Sequence, residues 1–286
     1  MNILLIDGDL IAYRCAAAAE KAVYNIKTQD SVVTYNSKAE VRDWLKAFPE
    51  EEVEVEHSRE YGPVEHALYL AKENVHGIVE ALGGIPEIWL SASDGSNFRK
   101  QVATLLPYKG NRNPLAKPKW LQETRDCLIA YQGAKCAEEE EADDRLGIRA
   151  TEEREKGNEK VVICSIDKDL DQIQGHHYNW VRKEAYHVNE KDALRSFYTQ
   201  LLVGDRTDNI PGIAGVGPKG AERILEGYSK ESGLFRAARE AWHKAYPSGF
   251  SLPSKEELRP VDEVLLEVGR LLWIRRYPGQ LWEFPK

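Results

Sequence analysis

The chain has 286 residues, 42% apolar and 30% charged, a composition that supports a buried core and excludes a disordered polypeptide. No apolar run approaches a membrane span, and MNILLIDGDLIA is too short and too acidic for a signal peptide, so a cytoplasmic protein without a membrane partner is expected. Cys15, Cys127, Cys136 and Cys164 form no Cys-x-x-Cys pair, which argues against a zinc site or a disulfide framework and fits a reducing compartment. The net charge of −8 would by itself disfavour a polyanionic ligand, but the charge is segregated. Arg99 to Arg125 holds seven basic residues and one acid, whereas EEEEADD (Glu138–Asp144) holds six acids in seven positions.

Three short apolar runs end in aspartate: ILLID (Ile3–Asp7), IWLSASD (Ile88–Asp94) and VVICSIDKD (Val161–Asp169). Runs of this kind are expected as strands buried on both faces of a mostly parallel sheet. Between the first two, VYNIKTQDSVVTY is expected to form a hairpin around Gln29-Asp30, and EEEVEVEHSREY alternates like an exposed strand. Residues 20–62 are read as an insertion at the edge of the sheet. Helical periodicity follows in Glu65–Leu82, in Trp120–Tyr131 and again after Asp143. Strands alternating with helices give an α/β fold whose ligands sit beyond the carboxyl ends of the strands. His176-His177 is expected in a surface turn, Trp44, Trp89, Trp242 and Trp273 in the core, and Cys127 and Cys136 as small apolar fillers. After Tyr198 the chain becomes rich in Gly and Pro through GDRTDNIPGIAGVGPKGAERIL. Phe235–Lys286 reads as helices broken by YPSGFSLPSKEEL. The domain expectation is an α/β core over 1–200, with the insertion inside 20–86 and a basic, arch-like segment at 99–131, followed by a helical region over 201–286.

The acids define a candidate metal site: Asp7, Asp94, Asp167, Asp169, Asp205 and Asp208, with Glu141, Asp143 and Asp144 from the acid-rich helix. Like charges crowded into one cleft repel, and oxygen-only ligands select hard ions, so Mg²⁺ or Mn²⁺ is expected. Two such ions roughly 4 Å apart can clamp a phosphodiester. Singly, each strand-end aspartate serves equally well as a helix N-cap, and Asp9 is expected to be structural. On a helix Glu141 and Asp144 share a face while Asp143 points elsewhere. The stretch FRKQVATLLPYKGNRNPLAKPKW interleaves Arg99, Lys100, Lys109, Arg112, Lys117 and Lys119 with Tyr108 and Trp120, which suits a channel that tracks nucleic-acid backbone and stacks bases. Gly212, Gly215 and Gly217 before a helix starting near Pro218 resemble a helix-hairpin-helix turn, whose backbone N–H groups hold a phosphate, with Lys219 adding a point charge.

Taken together, LLIDGDLIAYR, SDGSNFRK, LPYKGNR, EEADD, SIDKDLDQI and GDRTDNIPGIAGVGPKGA resemble, in order, the 5′-to-3′ exonucleases of the flap endonuclease superfamily, above all their bacteriophage members. The resemblance implies a PIN-like α/β nuclease core with a helix-three-turn-helix element. It also implies a two-metal site that hydrolyses DNA, or RNA in RNA–DNA hybrids, from 5′ ends. It places all nine acids named above among the metal-binding residues and Lys109 at the scissile phosphate, with Arg99 and Arg112 as neighbouring phosphate contacts. Gly215, Gly217 and Lys219 then belong to the hairpin that grips duplex DNA, where K⁺ joins the backbone carbonyls. Pro107–Tyr131 is short for an arch that threads long flaps, which tilts the expectation toward exonuclease over flap cleavage. The tail QLWEF lacks the spacing of a sliding-clamp peptide, and a monomer is expected. Two other readings are open to test: a haloacid-dehalogenase-type phosphatase using Asp7 and Asp9, and a non-catalytic DNA-binding protein.

Overall fold

The computed structural model describes residues 1–49, 52–92, 96–113, 116–252 and 258–286, and these divide into two compact units. The first comprises residues 1–10, 76–116 and 133–286, and the second residues 11–75 and 117–132.

The first unit is built on a six-stranded sheet of order β6-β5-β1-β7-β8-β9. Its strands are β1 (Asn2–Asp7), β5 (Gly84–Leu90), β6 (Lys135–Cys136), β7 (Val161–Cys164), β8 (Gly175–Asn179) and β9 (Glu184–Val188). The three aspartate-terminated runs are neighbours, since β1 lies parallel to both β5 and β7. The sheet is mostly parallel, with only the β8–β9 pair antiparallel. Leu4, Leu5 and Ile6 of β1 have no exposed surface, as continuous aliphatic runs require when both faces of a strand are covered. Two strands end earlier than the apolar runs suggest, β5 at Leu90 and β7 at Cys164, so Asp167 lies beyond the end of β7 and Asp169 opens a short 3-10 helix over Asp169–Gln172.

Helices α6 (Ala142–Glu155), α7 (Glu190–Val203), α8 (Pro218–Ile224), α9 (Glu231–Ala245) and α10 (Val261–Leu272) also belong to this unit. Val261, Val264, Leu265, Val268, Leu271 and Leu272 recur at helical spacing on α10 and pack with Phe197, Leu201, Leu202, Leu234 and Trp242 in one cluster. His177 corrects the expected surface turn: it lies in β8, is 2% exposed, and its Nε2 is 2.8 Å from Ile173 O. Cys136 is exposed and is not a core filler, whereas Cys127 is buried.

The second unit carries a three-stranded antiparallel sheet of order β3-β2-β4, from β2 (Glu20–Lys27), β3 (Val32–Tyr35) and β4 (Glu54–Tyr61). The hairpin around Gln29-Asp30 forms as expected. The inserted strands make their own sheet and do not extend the edge of the parallel one. Tyr24, Ile26 and Val41 centre a small core there, with Val41 on α2 (Lys38–Ala47). A further helix, α5, covers Leu121–Gln132. Among the described residues, no helix is long and apolar enough to cross a membrane.

Candidate active site

Acidic loops and helix ends of the first unit line a cleft of about 380 Å³, with Glu141, Asp143, Asp167, Asp169, Asp205 and Asp208 on its walls beside Tyr108, Lys109 and Arg112. Each acid is placed by local chemistry. Asp7 ends β1 and accepts from Leu10 N at 3.2 Å, so it caps α1 (Gly8–Ala18). Its other oxygen accepts from the Ser165 hydroxyl at 2.8 Å, and Ser165 Oγ accepts from Asp167 N at 3.0 Å. Asp167 Oδ1 then accepts from Asp169 N at 2.9 Å. One hydroxyl thus ties the β1 end to the SIDKD loop.

Asp205 and Asp208 sit on a loop that folds back on itself, with Asp205 N donating to Ile210 O at 2.9 Å and Ile210 N donating to Asp205 O at 2.7 Å. The fold-back demands glycine on both sides. A Cβ at Gly204, whose φ is 72°, would stand 2.5 Å from Gly212 N, and one at Gly212 would stand 2.1 Å from the Val203 carbonyl carbon. The segment carrying Lys109 is pinned to this loop, because Lys109 N donates to Asp208 O at 2.9 Å and Asn209 Nδ2 donates to Pro107 O at 3.0 Å. Lys109 itself has φ 57°, a conformation that side-chain-bearing residues avoid and that clusters at functional sites.

The cleft crowds like charges. Burial first, then Asp9 and Asp167, push the Asp7 carboxyl up to about 7. Asp169 is likewise pushed up to about 7, by burial and then by Asp167, Asp205 and Asp208. Burial, then Asp7, Asp167 and Glu141, hold Asp143 well above the usual carboxylate range. Burial alone would also raise Glu141, but Arg99 and Lys109 keep it below its ordinary value. Cations answer part of the charge: Lys109 Nζ pairs with Glu141 and lies 3.6 Å from Asp208, and Arg112 reaches Asp208 Oδ1 at 2.5 Å.

Asp7 and Asp169 hold their protons more tightly when folded than near the ordinary 3.8, so the folded state binds extra protons between about pH 4 and 7. Stability from this source is full below that window and declines as pH rises through it. In chelator, Asp169→Asn is therefore expected to raise the thermal midpoint at neutral pH and to leave it nearly unchanged at the acid end. Equal midpoints of variant and parent across the range would remove the crowding argument.

The donor set, carboxylate oxygens without a nearby thiol or imidazole on the cleft walls, fits hard divalent ions. Among the described residues, no three acidic, histidine or cysteine side chains stand close enough to close around a single ion. Asp94, expected as a ligand, lies outside the described residues.

Three expected roles are corrected by burial. Asp144 has no exposed surface and takes Arg99 in a two-pronged ion pair at 2.5 and 3.0 Å, while accepting from Glu141 N and Arg275 N, each at 3.1 Å. Asp143, not Asp144, therefore lines the cleft, because Glu141 is the N-cap of α6 and Asp144, at N3, turns back onto Glu141 N in a capping box. Arg99 is 3% exposed at the cleft and gives two further N–H groups to Leu271 O and Trp273 O at 2.8 and 2.9 Å, so protein acceptors hold most of its donors. Tyr108 is 8% exposed, with its hydroxyl 2.9 Å from Glu141 and 2.8 Å from Asp208, so its ring offers no open stacking face.

Lys117 and Lys119 belong to the second unit, where the Lys119 ammonium lies 4.6 Å from the Tyr61 ring and 4.4 Å from the Trp120 ring. Gly215, with φ 78°, and Gly217, the N-cap of α8, are exposed, as is Lys219. A Cβ at either glycine would meet nothing within 4 Å, so the backbone of this turn is open to a ligand. Ser165, Gln172 and Gln200 are site-building residues that the motifs did not single out. Only Ser165 carried a local signal, as a hydroxyl two positions before Asp167 in an acid loop.

No protein-family model matches the chain. It is similar to the exonuclease of Escherichia phage T7, with 26% identity over 219 residues, covering 76% of this chain and 64% of the relative. It is also similar to flap endonuclease Xni of Shewanella sp. strain W3-18-1, with 31% identity over 153 residues, covering 50% and 57%. The chain thus spans less than two thirds of either relative's length. In fold it resembles the T5 D15 protein crystallised with metal ions, with a TM-score of 0.52 and 14% identity, covering 95% of this chain and 86% of that one. The order of motifs, the parallel sheet and these similarities agree: the chain is similar in sequence to phage exonucleases and to flap endonucleases, and in fold to the T5 D15 protein.

Proposed function

We propose that this chain is a divalent-metal-dependent nuclease that hydrolyses DNA from 5′ ends in the 5′-to-3′ direction, extending to flaps and to RNA in RNA–DNA hybrids. The observation that carries the reading is the cleft itself: acids from the 167–169 and 205–208 segments and from the N-terminus of α6 stand in one concavity with Lys109 and Arg112. Asp7, Asp143, Asp167, Asp169, Asp205, Asp208 and Glu141 are the residues proposed to hold Mg²⁺, with Mn²⁺ as a substitute, and Asp94 is retained as a proposed ligand from sequence alone. When bound, such ions supply Lewis acidity toward the scissile phosphodiester and lower the pKa of water.

The chain's own residues do the rest. Lys109, held in its positive-φ turn, and Arg112 bring positive charge to the phosphate as charge develops on its oxygens. A backbone hydrogen bond from Lys109 N to Asp208 O and side-chain bonds from Asn209 to Pro107 O and from Asn111 to Arg206 O join the 107–112 segment to the 205–210 loop, which supports keeping Lys109 and the acids in register. Away from the cleft, the turn at Gly215 and Gly217 with Lys219 is proposed to hold duplex backbone in the manner of a helix-hairpin-helix, with K⁺ as the ion for its carbonyls. Lys117 and Lys119 are proposed to track the strand that leaves the duplex.

The phosphatase alternative finds no support among the relatives, and the Asp9 carboxylate that it requires accepts a hydrogen bond from Ser91 N at 2.8 Å. The non-catalytic alternative leaves the raised acids of the cleft without a purpose.

Digestion of 5′-labelled duplex, flap and hybrid substrates with Mg²⁺, resolved on a gel, tests the reading. Products that shorten from the 5′ end support it, and intact substrates under every divalent ion overturn it. Lys219→Ala is expected to weaken binding of all duplex sequences alike and to lower the slope of log affinity against log salt by about one. An unchanged slope would remove Lys219 from the interface.

A further inference from the structure

The Asp169 carboxylate is held from behind by the amide of Gln200, 31 positions on in the chain, and that amide is in turn held by the amide of Gln172. Gln200, half-buried on α7, donates from Nε2 to Asp169 Oδ1. Behind it Gln172, 1% exposed, donates from Nε2 to Gln200 Oε1 at 2.5 Å and to Leu272 O at 2.9 Å.

Chemistry sets the direction of this relay. A backbone carbonyl only accepts, so Gln172 must turn its nitrogen toward Leu272 O. The second hydrogen of that nitrogen then meets Gln200, which must present its oxygen. Gln200 is left with its nitrogen toward Asp169, whose ionised carboxylate only accepts. Ile274 N, 3.4 Å from Gln172 Oε1, lies on the accepting side of the first amide. The C-terminal end of α10 thereby dictates, through two side chains, which group meets an acid of the cleft.

We propose that Gln200, locked by Gln172 and the 272–274 backbone, is a positioning residue that holds the Asp169 carboxylate for a divalent ion in the cleft. The inference rests on the metal-nuclease reading. A side chain that orients a metal ligand from behind typically changes metal affinity by about 10–100-fold when removed. A glutamine that only fills space would change melting temperature and nothing else.

The test uses the full chain and Mn²⁺ alone as the probe, with binding followed by the electron paramagnetic resonance of the free ion. Gln200→Leu and Gln200→Met remove the donor at similar volume. Both are expected to weaken Mn²⁺ binding roughly tenfold or more, with duplex affinity in chelator close to that of the parent. Cleavage should then need more Mn²⁺ for half-saturation while kcat recovers in excess Mn²⁺. A parent that binds Mn²⁺ and two variants that match it overturn the proposal, and a lowered melting point with parental Mn²⁺ affinity does the same by assigning Gln200 a packing role. A parent that binds no Mn²⁺ overturns the metal-nuclease reading first, and this inference falls with it.

Discussion

Asp167→Asn is expected to reduce cleavage of 5′-labelled duplex by roughly a thousandfold while leaving duplex affinity in chelator within about twofold, the scale of losing one preorganised electrostatic partner. Asp167 is a sharper choice than Asp7. Asp7 is 2% exposed and caps a helix, so its replacement mixes folding with chemistry. Asp167 is half-buried on the cleft wall, and its Oδ1 accepts from Asp169 N, a bond that the amide oxygen of asparagine preserves. Burial and then Asp208 and Asp205 raise its carboxyl, so in chelator the neutral variant should be no less stable than the parent. Retained cleavage would remove Asp167 from the metal set. Lost cleavage together with lost stability in chelator would assign it a structural role.

Arg99→Met is expected to cost about 3–5 kcal/mol of stability in denaturant unfolding, because it leaves the Asp144 carboxylate buried without its countercharge. Arg99 joins three segments: α4 (Arg99–Val102) that carries it, the N-terminus of α6 through Asp144, and the C-terminal end of α10 through Leu271 O and Trp273 O. The double variant Arg99→Met/Asp144→Leu should recover much of the loss, since two apolar residues remove both the charge and its partner. The rival expectation, a phosphate contact by Arg99, predicts weakened duplex binding at unchanged stability. Urea titrations of the single and double variants separate the two outcomes. A loss below about 1 kcal/mol for Arg99→Met would place the guanidinium outside the structural core.

The parallel sheet was legible because its signal is local. Aliphatic runs such as ILLID and VVIC announce strands covered on both faces, and the parallel pairing of β1 with β7 brings Asp7 and the acids after β7 to one edge. The Gly and Pro content after Tyr198 marked a break in regular structure, but the fold-back of GDRTDNIPG between Gly204 and Gly212 was not read from it. Ends of elements were harder to read. Helix α6 begins at Ala142, inside the acid run, with Glu141 as its N-cap, and the capping box that follows turns Asp144 inward and leaves Asp143 to the cleft.

What the linear chain determined by itself is which chemistry is present: oxygen donors at strand ends, cations beside them, and an open glycine turn in front of Lys219. Only the tertiary structure decided which of those groups are free for a ligand. Arg99 and Asp144 stand 45 positions apart and Gln200 and Asp169 stand 31 apart, and no short-range pattern encodes either pairing. A charge loses its availability when it is desolvated against a specific partner, and desolvation depends on what the rest of the fold brings into contact, which spacing along the chain does not record.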